Sequence, residues 1–505
     1  MSIHYRVAID RDNDGRFATE IDQEALELRW RLGLRRAYES MADYSWARIT
    51  LHNPHGAFSP ERHSLPSGMR VRIQSDANGA VRSHFTGVIS YIEPDAGTLG
   101  RKQAVIHLQD IQPWLEDSPA RIAPQIDVTA DQVIRDLLDQ AVIRRAVIAG
   151  FCLIDVGGYN MIDRARIFPP QHLTLSLERG KTRFAYVGDW WRDSTSIRQA
   201  ISEIVASERG RFYVDREGAL VFLNRHYTLL NETLAAQFDD NMSGMSYSYG
   251  DQRLNRLTVL MRPREIGERD TLLWQLQGEL RLEQRSELPL TLRLVDEQNQ
   301  PFGLLAFDRL VSRFQRAPEN RGYTINEDVA VEITRLGMTS LELRLVNRRR
   351  EAVYLTLLQL YGKPLYRHDP LEIVEADGEG QYVYGLKQLS LDLPALSDVV
   401  TARAFAAYEV LRRKHPRGLI HSLRLDAREH GSTALSAALF DRIRVSESQT
   451  GHQARDYFII GEEHHIRDGG ATHEVEWTLE PADSNRFVIV DDSLIGDRDE
   501  VLAPY

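Results

Sequence analysis

The sequence predicts a mainly β fold with some helices, in which two related β-domains flank an α/β domain and a further β-segment is inserted. Three observations lead to this prediction. Most of the chain alternates apolar and polar residues with a period of two, helical spacing occurs in three segments, and the first and last β-segments share a weak internal repeat. With 505 residues, the chain has room for about three or four domains.

Composition and charge narrow the function classes. The chain has 62 basic and 73 acidic residues, a net charge of −11, and is 42% apolar, which is typical of a soluble globular protein. The negative charge and the scattered arginines argue against sequence-specific nucleic-acid binding. The longest apolar run, 146–154, is shorter than the ~20 residues of a membrane span. The single cysteine, Cys152, excludes an internal disulfide and a Cys-based zinc site.

Residues 1–118 are predicted to form the first β-domain from strands alone. Three of its segments alternate apolar and polar residues, a period that places one face of each strand in a core. These segments are Ala47–Leu51, Arg70–Ile73 and Ala104–Leu108.

Residues 119–238 are predicted to form the α/β domain. Thr129 and Ser196 are each followed three residues later by a glutamine, the capping pattern that begins a helix. The run 212–222 alternates on both sides of a turn and predicts a β-hairpin.

Residues 239–264 and 366–483 are predicted to form the second β-domain. Its one helix is expected from Asp398 to Arg413, before Pro416. An acidic C-terminal tail, 484–505, follows.

The segment 265–365 is predicted to be an inserted β-sandwich. Its strands alternate cleanly, and 340–346 is expected to turn at Asn347 into 352–357 as a hairpin. Its flanks, 261–263 and 362–364, can lie close together, so the predicted sandwich can project from the domain into which it is inserted.

The internal repeat relates the two β-domains. From Thr50 to Arg70 there are 20 positions, and from Leu423 to Arg442 there are 19. The repeat predicts that strands around Ile49, Val71, Val88 and Val105 correspond to those around Leu423, Ile443, Gly461 and Val475. Spacing alone leaves the alternative that two unrelated β-domains match by chance.

Several stretches, in the same order, resemble one family. They are Asp10–Phe17, His52–Pro60, Gly210–Gly218, Leu357–Leu365 and Arg486–Asp492. The first resembles an Asp-x-Asp-x-Asp-Gly-x-Phe opening, and the second an Asn-x-x-Gly-x-Phe-Ser-Pro signature that follows a strand. The third resembles a Gly-Arg-x-Tyr-Val-Asp-x-x-Gly hairpin. Together these motifs resemble the tail-hub, or tail-tip, proteins of long-tailed bacteriophages and related prophage particles.

The resemblance implies two related hub β-barrel domains per chain and a homotrimeric, pseudo-sixfold ring. Such a ring joins the hexameric tail tube, or a distal tail protein, to threefold tip or fibre proteins, and it contacts the tape-measure protein. The resemblance further implies a structural, non-catalytic component of the virion tail tip, assembled in the bacterial host cytoplasm. The alternative is a β-rich carbohydrate-binding or glycan-cleaving protein in which 265–365 is the working part.

One acidic loop is a candidate Ca²⁺ site. Its candidate ligands are Asp10, Asp12, Asp14 and Glu20. The three aspartates alternate and precede Gly15, as in the first half of an EF-hand loop. Ile21 stands where that motif has its bidentate glutamate, so Glu20 or the neighbouring Asp22 would have to replace it. The alternative is a solvated turn between strands.

Two further patterns fall short of catalytic motifs. The residues Glu462–His465 with His473 lack the zincin spacing, and the sequence favours solvated strand histidines here. Gly244–Ser248 lacks the final glycine of a nucleophile elbow. The sequence therefore favours a non-enzymatic protein without a certain cofactor.

Overall fold

The structure is a computed structural model of the chain. It describes residues 3–11, 15–59, 61, 65, 67–77, 79–97, 99–122, 124–151, 174–188, 190–191, 194–296, 299–317, 324–336, 339–482, 486–488 and 500–502. The chain forms two compact units, Met1–Val259 with Ile373–Tyr505, and Leu260–Glu372. Cys152 and most of the acidic tail lie outside the described residues.

The first unit begins with strands that alternate between buried and exposed positions, as predicted. They are β1 (Ile3–Asp10), β2 (Thr19–Glu20), β3 (Ala25–Gly33), β4 (Trp46–His52), β5 (Arg70–Ala77), β6 (Ala80–Asp95) and β7 (Gln103–Gln109). A short 3₁₀ helix, Asp22–Glu24, precedes β3.

The α/β segment follows. It contains α1 (Gln112–Glu116), β8 (Gln125–Thr129), α2 (Ala130–Phe151), β9 (Leu175–Leu177), β10 (Arg183–Val187), α3 (Ile197–Glu208), β11 (Arg211–Val214), β12 (Leu220–Leu223) and α4 (Tyr227–Leu230). Each predicted capping pattern is present in one of its two hydrogen bonds. The Gln132 side chain accepts a hydrogen bond from the Thr129 backbone N–H at 3.0 Å, and the Ser196 hydroxyl accepts one from Gln199 N–H at 3.0 Å. The predicted hairpin is β11 with β12.

Three strands precede the second unit in the sequence, and the second unit contains nine strands. The first three are β13 (Leu234–Asp239), β14 (Gly244–Tyr249) and β15 (Arg256–Met261). The nine are β16 (Arg264–Ile266), β17 (Thr271–Gln275), β18 (Leu280–Leu282), β19 (Ser286–Arg293), β20 (Gly303–Gln315), β21 (Thr324–Ile325), β22 (Val329–Leu336), β23 (Ser340–Asn347) and β24 (Val353–Arg367).

The second unit consists of two sheets around its own core. Strand β24 pairs with β16, β17, β18 and β20, whereas β23 pairs with β19 and β22. The predicted hairpin of β23 with β24 is therefore wrong, because the chain crosses from one sheet to the other after Asn347. Leu343 and Leu355 enter the same core from opposite sheets, which an alternating pattern cannot distinguish from pairing.

The rest of the first unit completes the chain. It contains β25 (Leu371–Ala376), α5 (Gly378–Tyr384), β26 (Gln388–Leu393), α6 (Val399–Arg413), β27 (Gly418–Asp426), α7 (Ala427–Ser436), β28 (Arg442–Glu447), β29 (His452–Arg467), β30 (Thr472–Pro481), β31 (Arg486–Val488) and β32 (Glu500–Leu502). Helix α6 has the predicted bounds, and Asp398 caps its first turn.

A 13-stranded sheet in the first unit contains the internal repeat. Its first half runs β3-β4-β7-β6-β5-β1, and its second half runs β14-β27-β30-β29-β28-β13. The order is the same in both halves. One difference is that β1 is antiparallel to β5, whereas β13 is parallel to β28.

One β-bulge in each half of the sheet shows which residues of the repeat are equivalent. In β6 the pairing with β7 shifts between Ile89 and Tyr91, and in β29 the pairing with β30 shifts between Ile459 and Gly461. With these bulges aligned, Ile49 corresponds to Leu423 and Val71 to Ile443, as predicted.

Two residue assignments of the predicted repeat need correction. Val88 corresponds to Phe458, not to Gly461, and Val105 corresponds to Glu476. The strands themselves are the predicted ones. The assignments shifted because the loops between equivalent strands differ in length.

The two halves are not separate closed barrels in the described residues. Strand β3 pairs with β4 of its own half on one edge and with β29 of the other half on its second edge. The halves are therefore parts of one continuous open sheet.

Candidate assembly site

The two halves of the sheet meet where β3 lies antiparallel to β29. Residues Leu28–Gly33 lie opposite Gly461–Ile466 in an unbroken register. We call this pairing the closed joint. A glycine stands on each strand at its end, because a Cβ on Gly33 would lie 2.4 Å from the Ile460 carbonyl oxygen and one on Gly461 would lie 2.3 Å from that of Leu34.

A stack of aromatic rings fills the inner face of the closed joint. Trp30 is fully buried and stacks on His464, with ring centroids 4.6 Å apart and planes 12° from parallel. His464 Nδ1 lies 2.9 Å from His473 Nε2, and His473 Nδ1 lies 2.6 Å from the Tyr5 hydroxyl. When both histidines are neutral, each of these two bonds has one donor and one acceptor, so that the row from Tyr5 through His473 to His464 is hydrogen-bonded without a buried charge.

The prediction of solvated histidines is wrong for His464 and His473, which are buried. Burial lowers the pKa of His464 and lowers that of His473 to about 2. His465, one residue along the strand, points the other way and contacts Glu27 at 2.5 Å. Trp30 could not be foreseen as the cover of His464, because it lies more than 400 residues away in sequence.

A buried ion pair lies beside the stack. The Arg216 guanidinium donates to both carboxylate oxygens of Glu462 at 2.7 and 2.5 Å, and to the backbone oxygens of Leu435 and Ala437. Burial acts to raise the pKa of Glu462, but the charge and hydrogen bonds of Arg216 outweigh it and hold that pKa well below its usual range. Arg216 lies in the turn of the β11–β12 hairpin, so this turn fastens the hairpin to the second half of the sheet.

A second carboxylate holds the outer face of the closed joint. Glu463 accepts from Arg29 at 2.5 Å and from Arg31 at 3.3 Å, and both arginines lie on β3. This contact is more exposed than the Glu462 pair, because the Arg29 side chain is 45% exposed.

Two strand edges in the first unit resemble the closed joint but pair with nothing in the described residues. One is the edge of β14 that faces away from β27, and the other is the edge of 91–95 in β6 that faces away from β7. We call them the β14 edge and the β6 edge. Each exposes a large aromatic side chain, since Tyr249 is 70% and Tyr91 53% exposed.

The hairpin turn also distinguishes the two halves. On the first half, Gly218 lies against Thr86 and Glu217 is 3.5 Å from Arg72. The positions that correspond to Arg72 and Thr86 in the second half are Arg444 and Asp456, and they line an open cavity of about 670 Å³. In the second half the corresponding surface is open and carries several arginines, whereas in the first half the turn covers Thr86 and Arg72 lines a slightly smaller cavity of about 620 Å³.

The structure describes only part of the candidate Ca²⁺ loop. Asp12 and Asp14 lie outside the described residues. The buried Asp10 carboxylate accepts from Gly15 N–H at 3.0 Å and lies 3.6 Å from Arg70, whereas Glu20 is exposed on β2. Ca²⁺ binding here stays a prediction.

No group of three or more metal-ligating side chains lies together among the residues that the structure describes. In the same residues, no helix has the length and apolar character to cross a membrane. Residues Gly244–Ser248, which resemble part of a nucleophile elbow, form most of β14. They therefore belong to a strand at the edge of the sheet.

Known proteins resemble the chain in structure but not in sequence. No family model and no curated protein matches it. The 43 kDa tail protein of prophage MuSo2 from Shewanella oneidensis is 10% identical, with 95% of this chain and 99% of that chain covered and a TM-score of 0.49. The tail protein from Neisseria meningitidis MC58 is 10% identical, with 95% and 97% covered and a TM-score of 0.48.

The chain is similar to prophage tail proteins. It is also similar to an E. coli protein, c3393, a component of the type VI secretion system that exhibits structural similarity to the T4 bacteriophage tail proteins gp27 and gp5. That similarity has 8% identity and a TM-score of 0.35, with 96% of this chain and 78% of that chain covered. At these identities and TM-scores, the likeness assigns no partner or function to this chain.

Proposed function

We propose that the chain is a structural hub of a bacteriophage-like tail, which assembles as a trimeric ring with pseudo-sixfold symmetry. In this role it joins the sixfold tail tube, or a distal tail protein, to threefold tip or fibre proteins, and it meets the tape-measure protein at the centre. The protein is then a non-catalytic component of the virion tail tip.

The shared strand order of the two sheet halves carries this proposal. Three chains with two equivalent halves each present six similar surfaces on one face of a ring, while the whole assembly keeps threefold symmetry. A single chain that has to match a sixfold partner to a threefold one needs such a repeat.

The continuity of the sheet adds support. Because β3 pairs with β29, the two halves are held at one fixed angle by backbone hydrogen bonds and by the buried Arg216–Glu462 pair. Neighbouring units of a ring need a fixed angle, whereas two ligand-binding modules on a flexible chain do not. The order of the sequence motifs along the chain connects this geometry with tail hubs.

The mass of the purified chain in solution tests the proposal. Light scattering across the micromolar range should give about 173 kDa, three times the 57.8 kDa of one chain. A particle that stays at the mass of one chain at every concentration would contradict the hub, and selective binding on a glycan array would then favour the carbohydrate-binding alternative.

A further inference from the structure

We propose that the β14 edge of one copy pairs antiparallel with the β6 edge of the next copy, in the register of the closed joint. The inference rests on the proposed function, since it names the surfaces through which the ring would close. The proposed partner is a second copy of this chain, because the closed joint already shows the same pairing within one chain.

Strand β14 is the counterpart of β3. Arg29 lies opposite Arg48 and Ser246 lies opposite Ser422, and those two partners are equivalent positions of β4 and β27. From this anchor, counting along both strands makes Leu28-Arg29-Trp30-Arg31-Leu32-Gly33 correspond to Met245-Ser246-Tyr247-Ser248-Tyr249-Gly250. The register shift after Ser246 leaves its extra residue, His421, on β27, so the count along β14 is unbroken.

The side chains and the backbone support this alignment. Large apolar or aromatic residues alternate with polar ones in both segments, and each ends in a left-handed glycine, with φ of +83° at Gly33 and +79° at Gly250. The backbone thus turns away at the same point in both strands.

The β6 edge is the counterpart of the β29 edge. The bulge alignment makes Tyr91, Ile92 and Glu93 correspond to Gly461, Glu462 and Glu463. A glutamate is therefore retained at the position where Glu463 meets the arginines of β3.

Exposure distinguishes the paired strands from their unpaired counterparts. Leu32 is 1% exposed and belongs to the core at the closed joint, whereas its counterpart Tyr249 is 70% exposed. Gly461 is buried in the closed joint, whereas its counterpart Tyr91 is 53% exposed. A strand edge with exposed aromatic side chains is a template for pairing with another chain.

The register follows from the closed joint. Leu32 lies opposite Glu462 and Arg31 opposite Glu463, so Tyr249 should face Ile92 and Ser248 should face Glu93. The Leu34 N–H donates to the Ile460 carbonyl at 2.7 Å, which makes Gly33–Gly461, and therefore Arg31–Glu463, a non-hydrogen-bonded pair. The Cα atoms of Ser248 and Glu93 should then lie about 4.5 Å apart.

The contact is head-to-tail, because it joins two different edges. Such a contact repeats from copy to copy and closes when the rotation is a fraction of a full turn. If it reproduces the angle of the closed joint, closed joints and copy-to-copy joints alternate around one ring.

Disulfide cross-linking tests the register. In a Cys152→Ser background, the double variant Glu93→Cys with Ser248→Cys should oxidise to covalent dimers and trimers of about 116 and 173 kDa, which reductant returns to the 57.8 kDa chain. The expected Cα separation lies within the ~4.4–6.8 Å range of disulfides.

A matched control shifts one cysteine by two residues. Glu93→Cys with Ser246→Cys places the two Cα atoms about 7–8 Å apart on the same face, so cross-linking should fall at least tenfold. Each single variant should give no covalent trimer.

The outcomes separate this inference from the proposed function. A trimer by light scattering without cross-linking in the register pair, or with equal cross-linking in the shifted pair, would overturn the proposed joint and leave the trimer standing. If the unmodified chain forms no trimer, both the proposed joint and the proposed function are overturned. Amide exchange in the unmodified chain gives an independent measurement, because Ile92 and Tyr249 N–H should be protected in the assembled form and exchange freely after dilution.

Discussion

The closed joint and the two open edges use the same strand pattern in different surroundings. In the closed joint, Trp30 and Leu32 are buried, and Arg29 and Arg31 hold Glu463. In β14, the corresponding residues include two serines and an exposed Tyr249. Charge pairs thus fix the joint that forms within a chain. The β14 edge keeps the apolar pattern without the arginines, while the β6 edge keeps Glu93, which suits a contact made only when another copy arrives.

Breaking the buried ion pair should have the largest effect on the fold. Glu462→Ala leaves the Arg216 guanidinium buried and unpaired, and a loss of about 3–5 kcal/mol in the free energy of unfolding is expected. Urea unfolding at fixed protein concentration measures it.

The outer pair is the matched control for this prediction. Arg29→Ala removes a half-exposed partner of Glu463 and should cost less than about 1 kcal/mol. Replacing both buried partners, with Arg216→Met and Glu462→Leu, should recover most of the loss. Equal losses for Glu462→Ala and Arg29→Ala would contradict the distinction between the inner and outer faces.

Charging the β14 edge should abolish assembly while the chain stays folded. Tyr249→Asp places a carboxylate where Ile92 of the next copy is expected, so the mass by light scattering should fall from about 173 to 57.8 kDa. Tyr249→Phe should keep the trimer. Tyr382→Asp changes a tyrosine that is 92% exposed outside either edge and should also keep it. A trimer that survives Tyr249→Asp would count against the edge.

The buried histidines should make the closed joint sensitive to acid. Burial holds the pKa values of His464 and His473 below the ordinary value of about 6.5, so the unfolded chain binds protons that the folded chain does not. Above about pH 6.5 these groups do not reduce the free energy of unfolding. Below that pH, the free energy of unfolding falls by about 1.4 kcal/mol per pH unit for each of them.

Unfolding at pH 7.5 and 5.5 checks this sign. His473→Gln should reduce the slope by about one proton. A slope that is the same in the unmodified chain and in His473→Gln would contradict neutral burial of His473.

Restoring a positive charge to the β14 edge should strengthen assembly by a smaller amount. Ser248→Arg restores to β14 the arginine that β3 has at Arg31, and it should meet Glu93 of the next copy. Dissociation of the trimer on dilution should then need a concentration a few-fold lower, as expected for a pair worth about 0.5–1 kcal/mol. Ser248→Glu should shift dissociation the other way, and matching shifts for Arg and Glu would argue against Glu93 as the partner.

The smallest expected effect is at the N-terminal loop. We propose that Asp10, Asp12, Asp14 and Glu20 bind Ca²⁺ with a Kd of about 10⁻⁴ M. Calorimetry should show heat for the unmodified chain and none for Asp12→Ala. Absence of heat up to millimolar Ca²⁺ would leave only a turn in which Asp10 pairs with Arg70.

Local features of the fold were predictable from the sequence. The capping patterns at Thr129 and Ser196 were found because their signals lie within four residues of each other. The repeat was found because equivalent strands keep similar spacing. Alternation identified the strands but not their partners, so the hairpin at Asn347 was predicted wrongly.

Long-range contacts were beyond the sequence. Arg216 and Glu462 are 246 positions apart, and neither is unusual in its local pattern. Residues 244–248 come close to a nucleophile motif, and Met245–Gly250 also repeats the alternation of Leu28–Gly33. This similarity identifies β14 as the counterpart of β3 only once the bulges of β6 and β29 fix the register of the repeat.

Single-particle electron microscopy of the assembled chain tests the proposed ring. We expect a threefold ring in which six similar sheet halves alternate between closed joints and β14–β6 joints. A ring in which the two halves of each chain lie in separate layers, or in which β14 faces solvent, would contradict it.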